Sequence, residues 1–333
     1  MRAWAVTTQG PIDTRPLRLV ERPRPDPGPG EVLIKVAVCG VCRTDLHLAE
    51  GDLAPHRPDA VPGHEVVGRV ERLGPGCRRL EVGQRVGAAW LAASCGRCRY
   101  CLADRENLCL APLFTGWDVD GGFAEHLVAR EDFVYLLPDS FDDVAVAPLL
   151  CAGIIGYRAL CRADLPPRGR LGLYGFGGSA HLTAQVALAQ GATVHVLTRS
   201  AADQALAREL GATSVRGAFE PPPEPLDAAI LFAPVGTLVP VALAALDRGG
   251  TLAVAGIHLS DIPALNYQDH LFQERNLRSV TANTRSDGEE FLALAERTGV
   301  RATTTVYPFE AVDQALADLA HDRFSGAAVI RVA

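Results

Sequence analysis

The first part of the chain alternates hydrophobic and polar positions with a period of two. Residues 31–38 alternate and are rich in β-branched side chains, and the Pro-Asp-Pro-Gly-Pro-Gly segment at 25–30 marks a turn before them. Shorter stretches of the same kind follow at 66–72 and 82–90, separated by glycine. We therefore expect a compact, mostly antiparallel β domain in this part of the chain.

From about residue 152 the pattern changes to short apolar runs that alternate with helical stretches. The predicted strands are 171–174, 193–198, 228–232 and 251–255, and the alanine-rich helices are 180–190 and 201–210. Repeated strand–helix units indicate a parallel, doubly wound sheet. The sequence thus predicts an α/β chain with two differently built domains.

Composition narrows the functional classes. The 333 residues are enough for two domains, and 48% hydrophobic with 21% charged residues is typical of a globular protein. A net charge of −7 and a pI near 5.7 argue against a nucleic-acid or anionic-membrane partner. No apolar run approaches a membrane span, and the N-terminus lacks a signal core. Nine cysteines without such a signal predict a reducing, cytoplasmic location.

Four of the cysteines lie within fifteen residues, at Cys95, Cys98, Cys101 and Cys109. Pairs separated by two residues can direct several thiolates at one centre, and a later cysteine can complete a tetrahedron. A closed set of four ligands predicts a structural zinc site, with no position left for chemistry. Disulfides or unpaired buried thiols are the alternative reading.

A second, incomplete set of metal ligands is spread over three segments. Cys39 and Cys42 follow the first long predicted strand, His64 lies in a Pro-Gly-His-Glu motif, and Cys151 precedes the second domain. Two thiolates and one imidazole would leave a fourth coordination position for water or substrate. Cys77 and Cys161 are expected to be ordinary buried thiols.

A glycine turn joins the first strand and helix of the second domain. Its members are Gly175, Gly177, Gly178 and the small residue Ala180. Glycines at these positions permit a tight turn and let backbone amides approach a pyrophosphate, so we expect dinucleotide binding. The next strand should end in an acidic residue if the cofactor is NAD. It ends instead in Thr198-Arg199-Ser200.

Together these motifs resemble those of the zinc-dependent alcohol dehydrogenases of the medium-chain dehydrogenase/reductase superfamily. The resemblance covers essentially the whole chain and includes Gly121-Gly-Phe-Ala-Glu-His126. It implies a GroES-like, mostly antiparallel catalytic domain made of residues 1–151 and 286–333, with a structural zinc lobe at 95–109. It also implies a Rossmann domain at 152–285 and an active site in the cleft between the domains.

The resemblance implies two zinc ions per chain. The catalytic zinc ligands would be Cys42, His64 and Cys151, and the structural ones Cys95, Cys98, Cys101 and Cys109. Cys39 matches no family ligand. Zinc in the first set would lower the pKa of an alcohol hydroxyl, so that an alkoxide exists near neutral pH and passes its hydride to the nicotinamide.

Further roles follow from the same resemblance. Thr44 would hydrogen-bond the alkoxide oxygen and start a proton relay through the cofactor ribose to His47. Asp45 would orient His64, Glu65 would assist ligand exchange, and Arg43 would contact the pyrophosphate. Trp90 and Trp117 would form walls of the substrate pocket, although either could be plain core.

Two departures from the family pattern concern the cofactor. The final strand motif, Ser325-Gly326-Ala327-Ala328, lacks the basic residue that often holds the pyrophosphate, and Arg285 could supply that contact. The absence of an acidic residue at 198–200 predicts that NADP is accepted, and favoured over NAD, with Arg199 and Ser200 binding its 2′-phosphate.

The predicted function is therefore the oxidation of small to medium alcohols, or the reduction of aldehydes, by a homodimer or homotetramer. A polyol or amino-alcohol dehydrogenase of the same superfamily is an alternative, although such relatives often replace Cys151 by a carboxylate. A catalytically silent regulator that binds zinc and nucleotide is a second alternative. Zinc-free quinone or enoyl reductases are disfavoured because they lack both zinc signatures.

Overall fold

A computed structural model describes residues 1–324 and 326–333, so Ser325 of the final strand motif lies outside the described residues. The strands in the described chain are β1 (Arg2–Val6), β2 (Leu17–Glu21), β3 (Glu31–Val41), β4 (Glu65–Leu73), β5 (Arg85–Ala88), β6 (Leu91–Ala93), β7 (Leu113–Phe114), β8 (His126–Arg130), β9 (Val134–Leu136), β10 (Arg170–Tyr174), β11 (Thr193–Leu197), β12 (Ser214–Arg216), β13 (Leu226–Leu231), β14 (Leu246–Val254), β15 (Asn276–Ser279), β16 (Thr304–Pro308) and β17 (Ala327–Arg331).

The α-helices are α1 (Arg43–Glu50), α2 (Asp143–Val146), α3 (Ala152–Ala163), α4 (Gly178–Ala189), α5 (Ala201–Glu209), α6 (Leu238–Ala245), α7 (Tyr267–His270), α8 (Arg285–Thr298) and α9 (Val312–Ala320). Short 3₁₀ helices lie at Ile12–Thr14, Cys101–Ala103, Glu106–Leu108, Glu131–Phe133, Ala147–Leu150 and Phe309–Ala311. Within the described residues no single helix is long and apolar enough to cross a membrane, and only the bent pair Asp143–Leu150 and Ala152–Ala163 reaches that length and hydropathy jointly.

The chain divides into two compact units. The first unit consists of Met1–Cys151, Ala282–Glu296 and Ala302–Ala333, and the second of Ala152–Thr281 and Arg297–Arg301. That catalysis belongs to the first unit and cofactor binding to the second stays a prediction.

The first unit is built on a sheet with the order β16-β17-β3-β4-β5-β9, and β8 also pairs with β3. Its pairs are antiparallel except for β16 with β17. β3 lies in the centre of this sheet and is buried more fully than the alternating pattern suggested, because Lys35 is its one exposed side chain. The strand carries Cys39 and Gly40 near its end, and Cys42 follows it directly.

The second unit contains a six-stranded, all-parallel sheet with the order β12-β11-β10-β13-β14-β15. Its first strand is almost continuously apolar and buried, as expected for a strand covered on both faces. This strand order reverses between β10 and β13, which is the switch point where a doubly wound sheet binds its ligand, and it places the end of β11 on the other side of β10.

An arginine joins the beginnings of three strands in the second unit. Arg170 at the start of β10 donates to both carboxylate oxygens of Asp227, at 3.0 and 2.6 Å, and to Asp247 at 2.9 Å. The guanidinium holds the pKa of Asp227 below its ordinary value, so this contact stabilises the unit above the carboxyl's usual titration range and is lost on acidification.

Candidate functional site

The four-cysteine set forms a compact cluster in the first unit. The sulfurs of Cys95, Cys98, Cys101 and Cys109 all lie within 4.8 Å of one another. Cys101 Sγ lies 3.9 Å from Cys95 Sγ and 3.5 Å from Cys98 Sγ. Four thiolates around a tetrahedral zinc ion, with Zn–S bonds near 2.3 Å, would be about 3.8 Å apart. The cluster therefore fits a closed zinc site.

Backbone amides donate hydrogen bonds to these sulfurs, although burial still raises the pKa of the Cys109 thiol to about 11. The amide of Cys98 donates to Cys95 Sγ at 3.4 Å, and the amides of Cys95 and Ala111 donate to Cys109 Sγ at 3.2 and 3.3 Å. Hydrogen bonds from the amides of Cys101 and Leu110 lower the pKa of the Cys98 thiol to about 6. None of the nine cysteines, all of which the structure describes, forms a disulfide.

The second set converges in the same unit from three separate segments. Ligand atoms of Cys42, His64, Glu65 and Cys151 lie within 4.8 Å of one another. Cys151 Sγ is 3.9 Å from Cys42 Sγ and 3.3 Å from His64 Nε2. A tetrahedral zinc ion would separate two sulfurs by about 3.8 Å, and a sulfur and an imidazole nitrogen by about 3.6 Å. This donor set also fits zinc.

Electrostatics in the second set favour a charged ligand. The hydrogen bond with the Cys151 thiol, and then the contact with His64, hold the pKa of Cys42 well below its usual range despite burial, whereas the contact with Cys42 and burial raise the pKa of Cys151 well above its own. Burial alone would lower the pKa of His64, but the Asp45 carboxylate and the Cys42 sulfur together raise it well above its usual range. Burial raises the pKa of Glu65, whose Oε2 is buried without a hydrogen-bond partner in the described chain.

Asp45 connects two of the three ligand segments. Its Oδ1 accepts from the Gly63 amide at 2.9 Å and lies 3.1 Å from His64 Nδ1, while its Oδ2 accepts from the Cys42 amide at 2.9 Å. The carboxylate engages Nδ1 of His64, so Nε2 is the nitrogen that faces Cys151. Only 2% of Asp45 is exposed.

Gly40 is a site residue that the sequence reasoning missed. It lies opposite Glu65 in the β3–β4 ladder, and a Cβ at this position would overlap the Glu65 carboxylate. Glycine inside a strand often marks such a close approach, and this was the available signal.

His47 and Thr44 lie three residues apart on α1, so their side chains share one side of the helix. Thr44 Oγ1 is 3.8 Å from Cys42 Sγ, and His47 Nδ1 is 2.9 Å from Asp52 Oδ2. Thr44 is buried, whereas the His47 side chain is 22% exposed. The pair thus extends from the second set toward solvent.

The two predicted pocket tryptophans belong to one aromatic stack beside the second set. The Trp90 ring meets His64 edge-on, with ring centroids 5.0 Å apart, and stacks on Phe114 at 4.9 Å. Trp117 stacks on Trp90 at 6.0 Å, and His56 on Trp117 at 4.0 Å. The sequence reasoning missed Phe114 and His56, whose positions carry no local signal.

The two arginines that were predicted to contact the cofactor form ion pairs with carboxylates in the structure. Arg43 pairs with Asp322 at 2.6 Å, and Arg285 pairs with Glu106 at 3.1 Å. The expectation that Cys77 and Cys161 are buried is wrong, because Cys77 is half-buried and Cys161 lies exposed on α3, whereas Cys39 is buried. Spacing along the chain did not reveal which face of α3 meets solvent.

The glycine turn in the second unit has the form that a dinucleotide requires. Gly175 adopts a positive φ of 86°, and α4 begins at Gly178 without a side-chain cap, so its first amides are available to an anion. A Cβ on Gly177 would meet nothing within 4 Å, so the space above the turn is open. Ala180 is fully buried, which lets the helix pack closely.

The end of β11 presents two exposed residues and one buried one. Thr198 is buried, while Arg199 and Ser200 are exposed. Ser200 caps α5 by accepting from the Asp203 amide at 3.2 Å. The Asp203 carboxylate itself lies 3.5 Å from the Thr198 hydroxyl.

Two family models match the chain. An alcohol dehydrogenase GroES-like domain matches residues 28–139, and a zinc-binding dehydrogenase domain matches residues 178–297. The chain is 56% identical to "Probable alcohol dehydrogenase AdhA" of Mycobacterium tuberculosis, over 100% of this chain and 97% of that protein.

Solved structures show the same fold. A cobalt- and zinc-bound thermostable alcohol dehydrogenase from Pyrobaculum aerophilum is 26% identical, with a TM-score of 0.89 over 100% of this chain and 99% of the other. A Sinorhizobium meliloti protein assigned as a zinc-binding dehydrogenase, solved with NADP, is 25% identical, with a TM-score of 0.85 over 99% of both chains. The predicted fold class and family are confirmed, and the chain belongs to the zinc-type alcohol dehydrogenases of the medium-chain dehydrogenase/reductase superfamily.

Proposed function

We propose that this alcohol dehydrogenase uses NAD(P) to oxidise primary or secondary alcohols, holding one catalytic and one structural zinc ion per chain. The observation that carries the proposal is the set formed by Cys42, His64 and Cys151. Its spacing fits a metal with three protein ligands, which leaves a fourth position for substrate. The four-cysteine set fits a second metal that needs no further ligand.

The chemistry that bound zinc supplies at such a site is Lewis acidity toward the alcohol hydroxyl, and the chemistry that nicotinamide supplies is hydride acceptance. The protein's own residues do the remaining work. Asp45 fixes the His64 ring, and the stacked Trp90 and Trp117 rings form an apolar wall beside it. Glu65 holds a buried carboxylate beside the ligands, where it assists ligand exchange.

Proton movement is assigned to Thr44 and His47. The buried Thr44 hydroxyl would accept the hydroxyl proton of the substrate as it passes its own proton on toward His47, which would release a proton to solvent. Asp52 accepts a hydrogen bond from His47 Nδ1 and so orients the imidazole. This carboxylate partner was not predicted from the sequence.

The cofactor binds on the glycine turn, with its pyrophosphate at the first amides of α4. Arg199 covers the 2′-phosphate of NADP as a permanently charged donor, helped by the Ser200 hydroxyl. The exposure of both residues at the end of β11 supports this proposal, which makes NADP an accepted and favoured cofactor.

The active form is a homodimer or homotetramer. Five large apolar side chains are exposed on β15, the edge strand of the parallel sheet in the described chain, and on the segment before it. They are Ile257, Ile262, Tyr267, Phe272 and Leu277. An apolar surface of this kind is typical of a contact between subunits. The cytoplasmic location stays a prediction.

Removing ligands from the two metal sets should have different consequences. We expect Cys42→Ala and His64→Ala to lose about one of two zinc ions and all turnover while staying folded, because only the open set performs chemistry. Cys98→Ala should lose the other ion and unfold at lower temperature, because a closed site contributes folding free energy. Zinc content, circular dichroism melting and hydride transfer measure these effects.

Cys161→Ala is the matched control, since this exposed thiol lies outside both sets, and it should behave like the wild type. Near-normal turnover in a His64→Ala protein that has lost one zinc ion would contradict the assignment. Full zinc loading without turnover in the wild type would instead favour a silent regulator.

Replacing His47 should alter the pH profile of alcohol oxidation. Loss of a general acid–base group costs about 10²- to 10⁴-fold in rate, and less where bulk water can substitute. We expect His47→Gln to slow oxidation most at low pH, where water and buffer accept protons least readily. His321→Gln is the control because this histidine also pairs with an aspartate, Asp13, at 3.0 Å. Superimposable pH profiles for His47→Gln and the wild type would show that the proton leaves by another route.

Arg199→Ala should weaken the use of NADP and leave the use of NAD nearly unchanged. A lost hydrogen bond to a charged group corresponds to about tenfold or more in kcat/KM, roughly 1.5 kcal/mol. Arg208→Ala removes an exposed arginine from the far end of α5 and serves as the control. Equal losses for both cofactors would exclude a phosphate contact at Arg199.

A further inference from the structure

The end of β11 lies directly beside the glycine turn. Leu197, the last residue of β11, is paired with Tyr174 at the end of β10. The amide of Gly175 donates to the Leu197 carbonyl at 2.9 Å, so Thr198 follows a residue that is bonded to the turn. A dinucleotide whose pyrophosphate rests on the turn would bring its adenosine ribose to this edge of the sheet.

The Asp203 carboxylate, five residues after Thr198 in the chain, lies beside Thr198 in the fold. Ser200 accepts from the Asp203 amide, which starts α5 at once and bends the chain back toward the strand end. Gln204 Nε2 donates to the Thr198 carbonyl at 3.0 Å and fixes this return. As a result, Asp203 Oδ2 lies 3.5 Å from Thr198 Oγ1.

A carboxylate and a guanidinium beside the same ribose favour different cofactors: the carboxylate favours NAD and the guanidinium favours NADP. An ionised carboxylate only accepts hydrogen bonds, so it binds the ribose hydroxyls of NAD and repels a 2′-phosphate. The half-buried Asp203 and the exposed Arg199 both lie next to Thr198. The expectation that this strand end lacks a carboxylate holds for 198–200 but not for the folded chain.

We propose that Asp203 is a specificity-determining residue that accepts hydrogen bonds from the adenosine ribose of NAD and opposes NADP. The proposal rests on the dinucleotide binding assigned above. It makes cofactor choice a balance in which Arg199 favours NADP, Asp203 favours NAD, and both dinucleotides are bound.

Asp203 also has a structural role from which this one must be separated. It lies in the first turn of α5, where a negative charge stabilises the helix N-terminus. Loss of that stabilisation alone would weaken the binding of NAD and of NADP by the same factor. The ratio of the two dissociation constants is therefore the informative quantity, since a change in helix stability alone leaves it unaltered.

The test is isothermal titration of NAD and NADP, without alcohol, into the wild type, Asp203→Asn, Arg199→Ala and Glu209→Gln. Glu209→Gln removes one negative charge from the exposed, opposite end of α5 and is the matched control. In Asp203→Asn we expect NAD to bind about tenfold more weakly and NADP to bind more tightly, so that the ratio shifts by more than tenfold. Melting temperatures of the four proteins report the helix-capping effect separately.

An unchanged ratio in Asp203→Asn would overturn the role of Asp203 and leave the proposed dehydrogenase function intact. A shift of equal size in Glu209→Gln would also overturn it, because the effect would then be one of net charge. A wild type that binds neither dinucleotide would contradict the proposed function itself and, with it, this inference.

Discussion

The buried Asp45 carboxylate makes the contacts on which the proposed open metal site depends. It accepts hydrogen bonds from the amides of Cys42 and Gly63 and engages Nδ1 of His64. These bonds hold Cys42 and His64, which are twenty-two residues apart in the sequence, in a fixed position relative to each other. A buried carboxylate without such donors would be destabilising, so the fold and the site need the same three hydrogen bonds.

The rest of the site is arranged around this anchor by the sheet. β3 delivers Cys42 at its end, and its neighbour β4 begins at Glu65, directly after His64. Gly40 leaves the space that the Glu65 carboxylate occupies. The pairing of β3 with β4 therefore brings the donor atoms of Cys42, His64 and Glu65 close together.

Local motifs were predictable from the sequence, whereas contacts made through space were not. Cysteine spacing identified the four-cysteine set, and glycine spacing identified the turn before α4, because in both cases the interacting groups are neighbours along the chain. The residues suggested an incomplete set of two thiolates and one imidazole, but the choice of Cys42 over Cys39 came from family resemblance, since pairing across a sheet cannot be read from spacing.

The contacts of Phe114 and Asp52 are revealed only by the folded chain, whereas a glycine inside a strand was an available signal for Gly40. Asp203 shows how a residue outside a motif can supply the group that the motif lacks. Reading the end of β11 residue by residue gave no carboxylate, but the helix cap at Ser200 turns the chain so that a later residue fills the place.

The central claim is that this chain holds two metal sites of different composition, one closed by four thiolates and one left open by two thiolates and an imidazole. Zinc K-edge X-ray absorption on the purified holoprotein tests it directly. The account predicts two zinc ions sharing six thiolates, hence an average of about three sulfurs per zinc at about 2.3 Å, with a minor shell of nitrogen or oxygen near 2.0–2.1 Å. One zinc ion bound by four sulfurs alone, or a first shell dominated by oxygen and nitrogen, would contradict it.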